Sequence, residues 1–385
     1  MNKIIYITTT RFPTEKAHGL ATIKICEAFR ESGYEVDIIA PKLWRRTEGD
    51  IFNYYDVKKN LRLFKIPCID LIPLRVLDKF AFILQTASFM LLSLPYIFLK
   101  YGKDIKQYIF FSHDYIPLYF MTFLPVNIFY DIHHFPGQNF MYRRVMKKSF
   151  GFAVQTKWKI KELEDKFGVP VDKIVYWPNG TDVERFNIPQ SVTEARKILG
   201  LPTDKKIVMY TGQLFNWKGV DSLIKAVCYL SPEVLIYIIG GSDQDVVNCK
   251  KEITEANDSR IIFIPFVRHS QIPLWLRAAD VLVLPNTGKQ KVSLYYTSPM
   301  KLFEYMAANK PIVSSAIPSI MEILNNNNAV LVEPDNEEAF GSGINKVLSN
   351  PILASNLSFE SLEDSHKYTW RNRAQKIIDY FSNHA

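Results

Sequence analysis

The sequence predicts two doubly wound α/β domains in tandem, each built on a parallel sheet of Rossmann-like plan. Three observations predict it. Short runs rich in Val, Ile and Leu alternate with helix-length segments along most of the chain. These runs are apolar at nearly every position rather than every second one, as in parallel strands buried on both faces. The βα alternation begins at the N-terminus and begins afresh near residue 206, and 385 residues are too many for one ordinary core but comfortable for two.

Taken in order, Lys3–Thr8 reads as a strand, Ala21–Ser32 as a helix after a loop containing Gly19, and Glu35–Ala40 as a second strand, with Gly33 ending the helix. Tyr108–Ser112, Ile128–Ile132 and Gly151–Gln155 are further strands, and a helix over Lys157–Phe167 stops at Gly168. The second series runs through strand Lys206–Thr211, helix Val220–Leu230, strand Val234–Ile239, strand Ile261–Ile264, helix Ser270–Ala278 and strand Val281–Leu284. It ends with helix Pro299–Asn309 and strand Pro311–Ser314, after a loop over Ser293–Thr297. The join falls in Pro178–Gln190, which holds two prolines, Gly180 and polar residues. The domains are therefore read as 1–185 and 186–369. The opening run is too short for a signal peptide and passes straight into Thr8-Thr9-Thr10, so it reads as a buried first strand and the chain as cytoplasmic.

With 48% hydrophobic and 22% charged residues the profile is globular. The net charge of +8 lies wholly in the first half: residues 1–190 carry 27 Lys/Arg against 19 Asp/Glu, and the rest carry 20 against 20. Such an asymmetry fits an anionic partner or plain solubility. No nucleic-acid recognition motif accompanies it, and no nucleic acid is expected. Cys26, Cys68, Cys228 and Cys249 form no C-x-x-C pair, and no His cluster completes a zinc site, so buried free thiols in a reducing compartment are expected.

Phe80–Leu99 stands apart, with no charged residue in 20 positions between Lys79 and Lys100. Its length suits a membrane span, a buried core helix or a helix lying in the bilayer interface. Gln85, Thr86, Ser88, Ser93 and Pro95 speak against a span. Arg143, Arg144, Lys147 and Lys148 form a basic cluster that can meet anionic lipid.

The best-marked chemistry is at Ser298-Pro299-Met300-Lys301, leading to Glu304. Ser298 reads as an N-cap and Pro299 as the first helical residue. A loop turning into a helix presents free N–H groups and the positive dipole end, an anion site. Lys301 opposes that dipole unless an anion is near. Glu304 can accept a pair of hydrogen bonds from vicinal hydroxyls such as those of a ribose. The stretch also reads as an ordinary capped helix with solvated charges.

Tyr210–Gly219 is the second constellation, a glycine-containing loop at a strand's carboxyl end, where doubly wound sheets bind ligands. There Lys218 can neutralise a diphosphate and Gln213 can donate to it. His133 or His134 after the strand ending at Ile132 can contact a sugar hydroxyl, and His113-Asp114 ends its strand in the same way. Gly19 permits close approach of backbone to phosphate. Asn179-Gly180 reads as turn or hinge geometry.

Together and in this order, these stretches resemble the family 4 glycosyltransferases, retaining enzymes of GT-B fold. The matching pieces are His18-Gly19, Tyr130–His133, Pro178–Phe186, Tyr210–Gly219, Ile239–Gly241, Ala278–Pro285, Ser298–Ala307, Lys310–Ser315 and Ile317–Leu324. The resemblance implies two domains facing a cleft that holds a nucleotide-diphosphate sugar. Lys218 then contacts the diphosphate, Glu304 the ribose, and the backbone of Ser298–Met300 the sugar or phosphates. His133 stands near the reacting sugar, and a helix from about 370 to 385 crosses back to the first domain. Many members carry a Glu eight residues before Glu304, where this chain has Tyr296, and an Arg where it has Gln213. Lys301 and Arg268 are candidates to restore that charge.

The implied activity is transfer of a hexosyl-type sugar to a glycan or lipid-linked acceptor in cell-envelope polysaccharide synthesis. It needs no cofactor and no metal, and the enzyme would sit peripherally on the inner face of the cytoplasmic membrane, touching anionic lipid. The alternative is a catalytically degenerate GT-B chain that binds nucleotide or a partner, for which Tyr296 and Gln213 speak.

Overall fold

The computed structural model describes residues 3–43, 49–58, 60–71, 78–135 and 137–384. The chain divides into two compact units, Met1–Pro178 with Trp370–Ala385, and Asn179–Thr369. The boundary thus falls seven residues before the one read from the sequence. Residues 179–185 go with the second unit because Asn179 bonds to Ser298 there and Val183 packs, beside Phe186, into that unit's core.

The first unit is a parallel sheet of β1 (Lys3–Ile7), β2 (Glu35–Lys42), β3 (Arg62–Pro67), β4 (Ile109–Ser112), β5 (Asn127–Ile132), β6 (Gly151–Val154) and β7 (Ile174–Tyr176), in the order β3-β2-β1-β4-β5-β6-β7. Ile4, Ile5 and Ile7 of β1 and Ile109, Phe110 and Phe111 of β4 are fully buried, which explains their unbroken apolar runs. Helix Ala17–Glu31 is buried on nearly every side from Gly19 to Phe29, because helix Trp370–His384 packs against it through Phe29 and Phe381.

The second unit is a parallel sheet of β8 (Lys206–Thr211), β9 (Val234–Ile239), β10 (Ile261–Ile264), β11 (Val281–Leu284), β12 (Ile312–Ser315) and β13 (Val330–Val332), in the order β10-β9-β8-β11-β12-β13. In each sheet the strand order reverses beside the first strand, between β1 and β4 and between β8 and β11. That reversal opens a crevice at the carboxyl ends, the usual ligand position in open α/β sheets.

Several sequence readings need correction. The helix read as Val220–Leu230 is α-helical over Val220–Lys225 and tightens to a 3₁₀ turn over Ala226–Tyr229. That turn leaves Cys228 exposed, and Cys26 is the one buried free thiol among the described cysteines. Ser293–Thr297, read as loop, overlaps a π-helical turn over Val292–Tyr296, with the Ser293 carbonyl accepting from Ser319 Oγ at 2.7 Å.

Helix Asp78–Tyr101 is neither a wholly buried core helix nor a lone apolar rod. Phe89, Met90, Ile97 and Tyr101 join the first unit's core, while Ile83, Leu91, Phe98 and Leu99 are 63%, 72%, 65% and 85% exposed. Lys79–Tyr101 is long and apolar enough to cross a membrane by length and composition, and a third of its most apolar window is buried.

Candidate functional site

The second unit gathers most of the residues singled out in the sequence. β8 ends at Thr211, whose N–H donates to Tyr305 Oη at 2.7 Å. Tyr305 lies on helix Met300–Ala307, so one phenol fixes the end of the strand to the helix beside it. Burial pushes that phenol's pKa up, keeping it protonated. The loop after β8 then runs close to β11. A Cβ on Gly219 would stand 1.9 Å from the Pro285 carbonyl oxygen, and its φ of +65° also favours glycine.

The helix starts later than its sequence suggests. Met300 is its first residue and Pro299 its N-cap, with no side-chain cap bond. Ser298 does not cap, because its groups are engaged elsewhere. The Asn179 N–H donates to Ser298 Oγ at 3.1 Å, and Asn179 Nδ2 donates to the Ser298 carbonyl at 2.7 Å. Asn179, read as turn geometry, therefore holds the loop that leads into the helix. With no side chain capping them, the first N–H groups of Met300–Ala307 keep the anion-binding character of a helix start.

Glu304 is buried at 7% exposure and its Oε1 receives His269 Nε2 at 2.8 Å. His269 orients the carboxylate and carried no motif signal. Lys218 stands 3.7 Å from the centre of the Trp217 ring, and desolvation pushes its amine down to about 7. Lys301 is 8% exposed, 3.5 Å from the centre of the Tyr210 ring, and its Nζ hydrogen-bonds no group among the described residues. Burial first, and then Lys218, hold its pKa well below the usual lysine range, against the pull of Glu304. Gln213 is half-buried in the same loop, its carbonyl accepting from Tyr210 Oη at 2.8 Å. Tyr296 is half-buried at the end of the π-helical turn, and Arg268 is exposed.

His133 and Gly19 belong to the first unit. His133 turns inward while His134 is exposed. The buried Asp131 accepts from Arg373 Nη2 at 2.8 Å and Gln155 Nε2 at 2.6 Å through Oδ1, and meets His133 Nε2 at 3.1 Å through Oδ2. Burial opposes its charge, but Arg373 and His133 outweigh burial and hold the carboxyl well below its usual range. An ionised carboxylate only accepts, so His133 Nε2 carries the proton and Nδ1 is left an acceptor.

The same logic runs beside it. Asp114 accepts from Thr8 Oγ1 at 2.5 Å and the Thr9 N–H at 2.8 Å, His113 Nε2 lies 3.4 Å from its other oxygen, and His113 Nδ1 receives Tyr6 Oη at 2.6 Å. Burial lowers the pKa of His113 and His133, and burial with His113 brings His18 to about 4, so these rings are neutral near pH 7. Gly19 lies inside the helix, which starts at Ala17, and not in a loop. A Cβ there would meet Thr14 Cγ2 at 2.2 Å and Tyr55 Oη at 2.8 Å, so the close approach it permits is to its own chain.

Known families and folds agree with this construction. Residues 21–185 match the family described as Glycosyltransferase Family 4, and residues 191–363 the family described as Glycosyl transferases group 1. Among curated relatives, a D-inositol 3-phosphate glycosyltransferase of Xylanimonas cellulosilytica is 23% identical over 62% of this chain and 58% of its own length. The putative colanic acid biosynthesis glycosyl transferase WcaI of Escherichia coli is 28% identical over 48% of this chain and 46% of its own. The chain thus spans about half the length of the curated relatives it matches.

Among solved structures, sucrose-phosphate synthase from Thermosynechococcus elongatus superposes with a TM-score of 0.79 at 18% identity, covering 100% of this chain and 99% of that one. Anabaena HepE in complex with UDP superposes with a TM-score of 0.74 at 15% identity, covering 99% and 100%. Two doubly wound sheets and both family matches lead to one placement: the chain belongs to the family 4 glycosyltransferases and has the GT-B fold.

Proposed function

We propose that the chain is a retaining, hexosyl-type glycosyltransferase that takes a nucleotide-diphosphate sugar as donor. The carrying observation is the crevice beside β8 and β11, where Lys218, Lys301, Glu304 and the start of helix Met300–Ala307 come together. In this reading Lys218 and the backbone of Ser298–Met300, through the N–H groups of Ser298 and Met300, hold the diphosphate, and Glu304, oriented by His269, takes two ribose hydroxyls. Gln213 donates to a phosphate, and Tyr296 meets the sugar where many relatives have a carboxylate. Negative charge grows on the departing diphosphate, and preorganised cations and dipoles stabilise it most in the transition state. Because the protein supplies that charge itself, transfer proceeds without a bound metal, and EDTA should leave the rate unchanged.

His133, with Nδ1 free to accept, is proposed to receive a hydrogen bond from a sugar hydroxyl. HepE, solved with UDP and UDP-glucose, supports a nucleotide-sugar donor. The colanic acid description of WcaI supports a glycan acceptor in envelope polysaccharide synthesis.

The acceptor reading is a lipid-linked or membrane-proximal glycan met from the cytoplasmic side. It is supported by the exposed apolar face of helix Asp78–Tyr101 and by helix Phe140–Lys148, where Phe140 is 71% exposed beside Arg143, Lys147 and Lys148. Flotation with anionic vesicles at low salt tests it, and absence of binding removes the membrane part.

Incubation with UDP-, GDP- and ADP-sugars, with and without lipid acceptor, tests the activity. Release of a nucleoside diphosphate from one of them is expected. No release from any donor favours the degenerate binding protein that Tyr296 and Gln213 suggest.

A further inference from the structure

A lysine that is buried, unpaired and facing another lysine is an unusual thing for a fold to keep. Lys301 is such a residue: 92% of its surface is covered, given its 8% exposure, and Nζ has no hydrogen-bond partner among the described residues. The ammonium points toward the glycine loop of β8, since a Cβ on Gly212 would stand 3.7 Å from Lys301 Nζ. The groups facing it are Tyr210 on β8, Lys218 in the loop that follows, and Glu304 on its own helix. Tyr305, also on that helix, is turned to Thr211, and Cys249 lies near Tyr210.

Three influences oppose a charge on Lys301: burial, repulsion from Lys218, and its place in the first turn of helix Met300–Ala307, where the dipole is positive. The one carboxylate among its described neighbours, Glu304, is already held by His269. A single ligand relieves all three. A diphosphate lying between the Gly212 loop and the helix start would pair with both lysines and with the dipole at once.

We propose that Lys301 is a second diphosphate-binding cation, left unpaired by the fold and completed, as charge and as hydrogen-bond donor, by the anion itself. The inference rests on the donor reading above and adds to it the residue that makes up for the neutral Gln213. Arg268, the other candidate for that charge, is exposed. One consequence separates this role from mere packing. Burial and Lys218 hold the Lys301 pKa well below the usual lysine range in the free protein, and a bound diphosphate relieves both, so nucleotide binding should raise it and favour proton uptake.

The experiment is calorimetric titration of the full chain with UDP, GDP and ADP at pH 8, in buffers of different ionisation enthalpy. For the nucleotide that binds, net proton uptake is expected. Lys301→Met should reduce that uptake and weaken the diphosphate about tenfold or more, while binding of the matching nucleoside is unchanged. The unliganded Lys301→Met protein should melt at the same or a higher temperature, because a buried unpaired amine is gone. Lys218, whose amine is pushed down to about 7, can also take up a proton, so Lys218→Met and Lys301→Gln are run beside it. Uptake should persist in Lys218→Met and fall in Lys301→Gln, which keeps the proposal tested even if Lys301→Met folds poorly. Binding of a diphosphate without proton uptake, or equal affinity in Lys301→Met, overturns the inference and leaves the donor reading standing. Failure of all three nucleotides to bind overturns the donor reading itself.

Discussion

At the carboxyl edge of the first unit each carboxylate has met its partners, Asp131 with Arg373, Gln155 and His133, and Asp114 with His113, Thr8 and Thr9. At the same edge of the second unit two lysines share a loop and a helix start with one carboxylate, and His269 holds that carboxylate. The sheets share their parallel plan and their point of strand reversal, so topology does not explain the contrast. In the first cluster every carboxylate named is matched by cations and donors and the histidines are neutral, which suits hydrogen-bonding uncharged hydroxyls, while Arg373 Nε and Nη1 bond no group among the described residues. The second carries unrelieved positive character, suited to an anion. One architecture matches its carboxylates with cations in one place and leaves cations in excess of carboxylate in the other, and that excess marks the side proposed to take the donor.

The sharpest way to break the contrast is to make the first cluster incomplete. Arg373→Met strips the buried Asp131 of its cation, and about 3–5 kcal/mol of stability should be lost, as for other buried pairs missing one partner. Denaturant melts will show it; an unchanged midpoint would mean that Gln155 and His133 suffice. The converse change acts on the second cluster. Lys218→Met should lower kcat/KM by roughly 10²–10³ with no loss of stability, because the lysine serves the ligand and not the fold.

Tyr305→Phe separates frame from charge. It removes the acceptor of the Thr211 N–H and should cost about 1–3 kcal/mol in thermal or urea unfolding, a structural effect within the second unit. The smallest effect is the pH dependence of the first cluster. His18 has a folded pKa of about 4, below the value of about 6.5 usual for an unfolded chain, so its contribution is present above pH 6.5. It is lost as pH falls toward 4, since the unfolded state binds the proton first. The stability gap between the native chain and His18→Asn should therefore narrow between pH 7.5 and 4.5.

Central strands were legible because burial on both faces leaves no polar position to interrupt them, as in Ile4–Ile7 and Val281–Leu284. Of the edge strands β10 was legible as Ile261–Ile264, but β3, β7 and β13 were not. β3 mixes exposed and half-buried residues with one buried position, Ile66, and keeps no period of two, and β7 and β13 are three residues long, too short for a period to declare itself. Within the candidate site, Lys218, Lys301 and Glu304 are singled out by their local setting of strand, loop and helix, and the fold brings them to one edge of the second sheet. Asn179 and Arg373 were beyond such reading. Their partners, Ser298 and Asp131, lie 119 and 242 residues away, and only the closed fold brings them together. Ser298 also looked like a cap because its neighbours fit one; Asn179 claims the hydroxyl instead.

The central claim is that the diphosphate is bound by the second unit, on the loop after β8 and the start of helix Met300–Ala307. Amide hydrogen exchange of the full chain, with and without the sugar nucleotide it turns over, tests this most directly. The account predicts slowed exchange at Gly212–Gly219 and Met300–Glu304, reduced in Lys218→Met at equal nucleotide concentration. Protection confined to the first unit, or none at these amides with a nucleotide that is demonstrably bound, would contradict it.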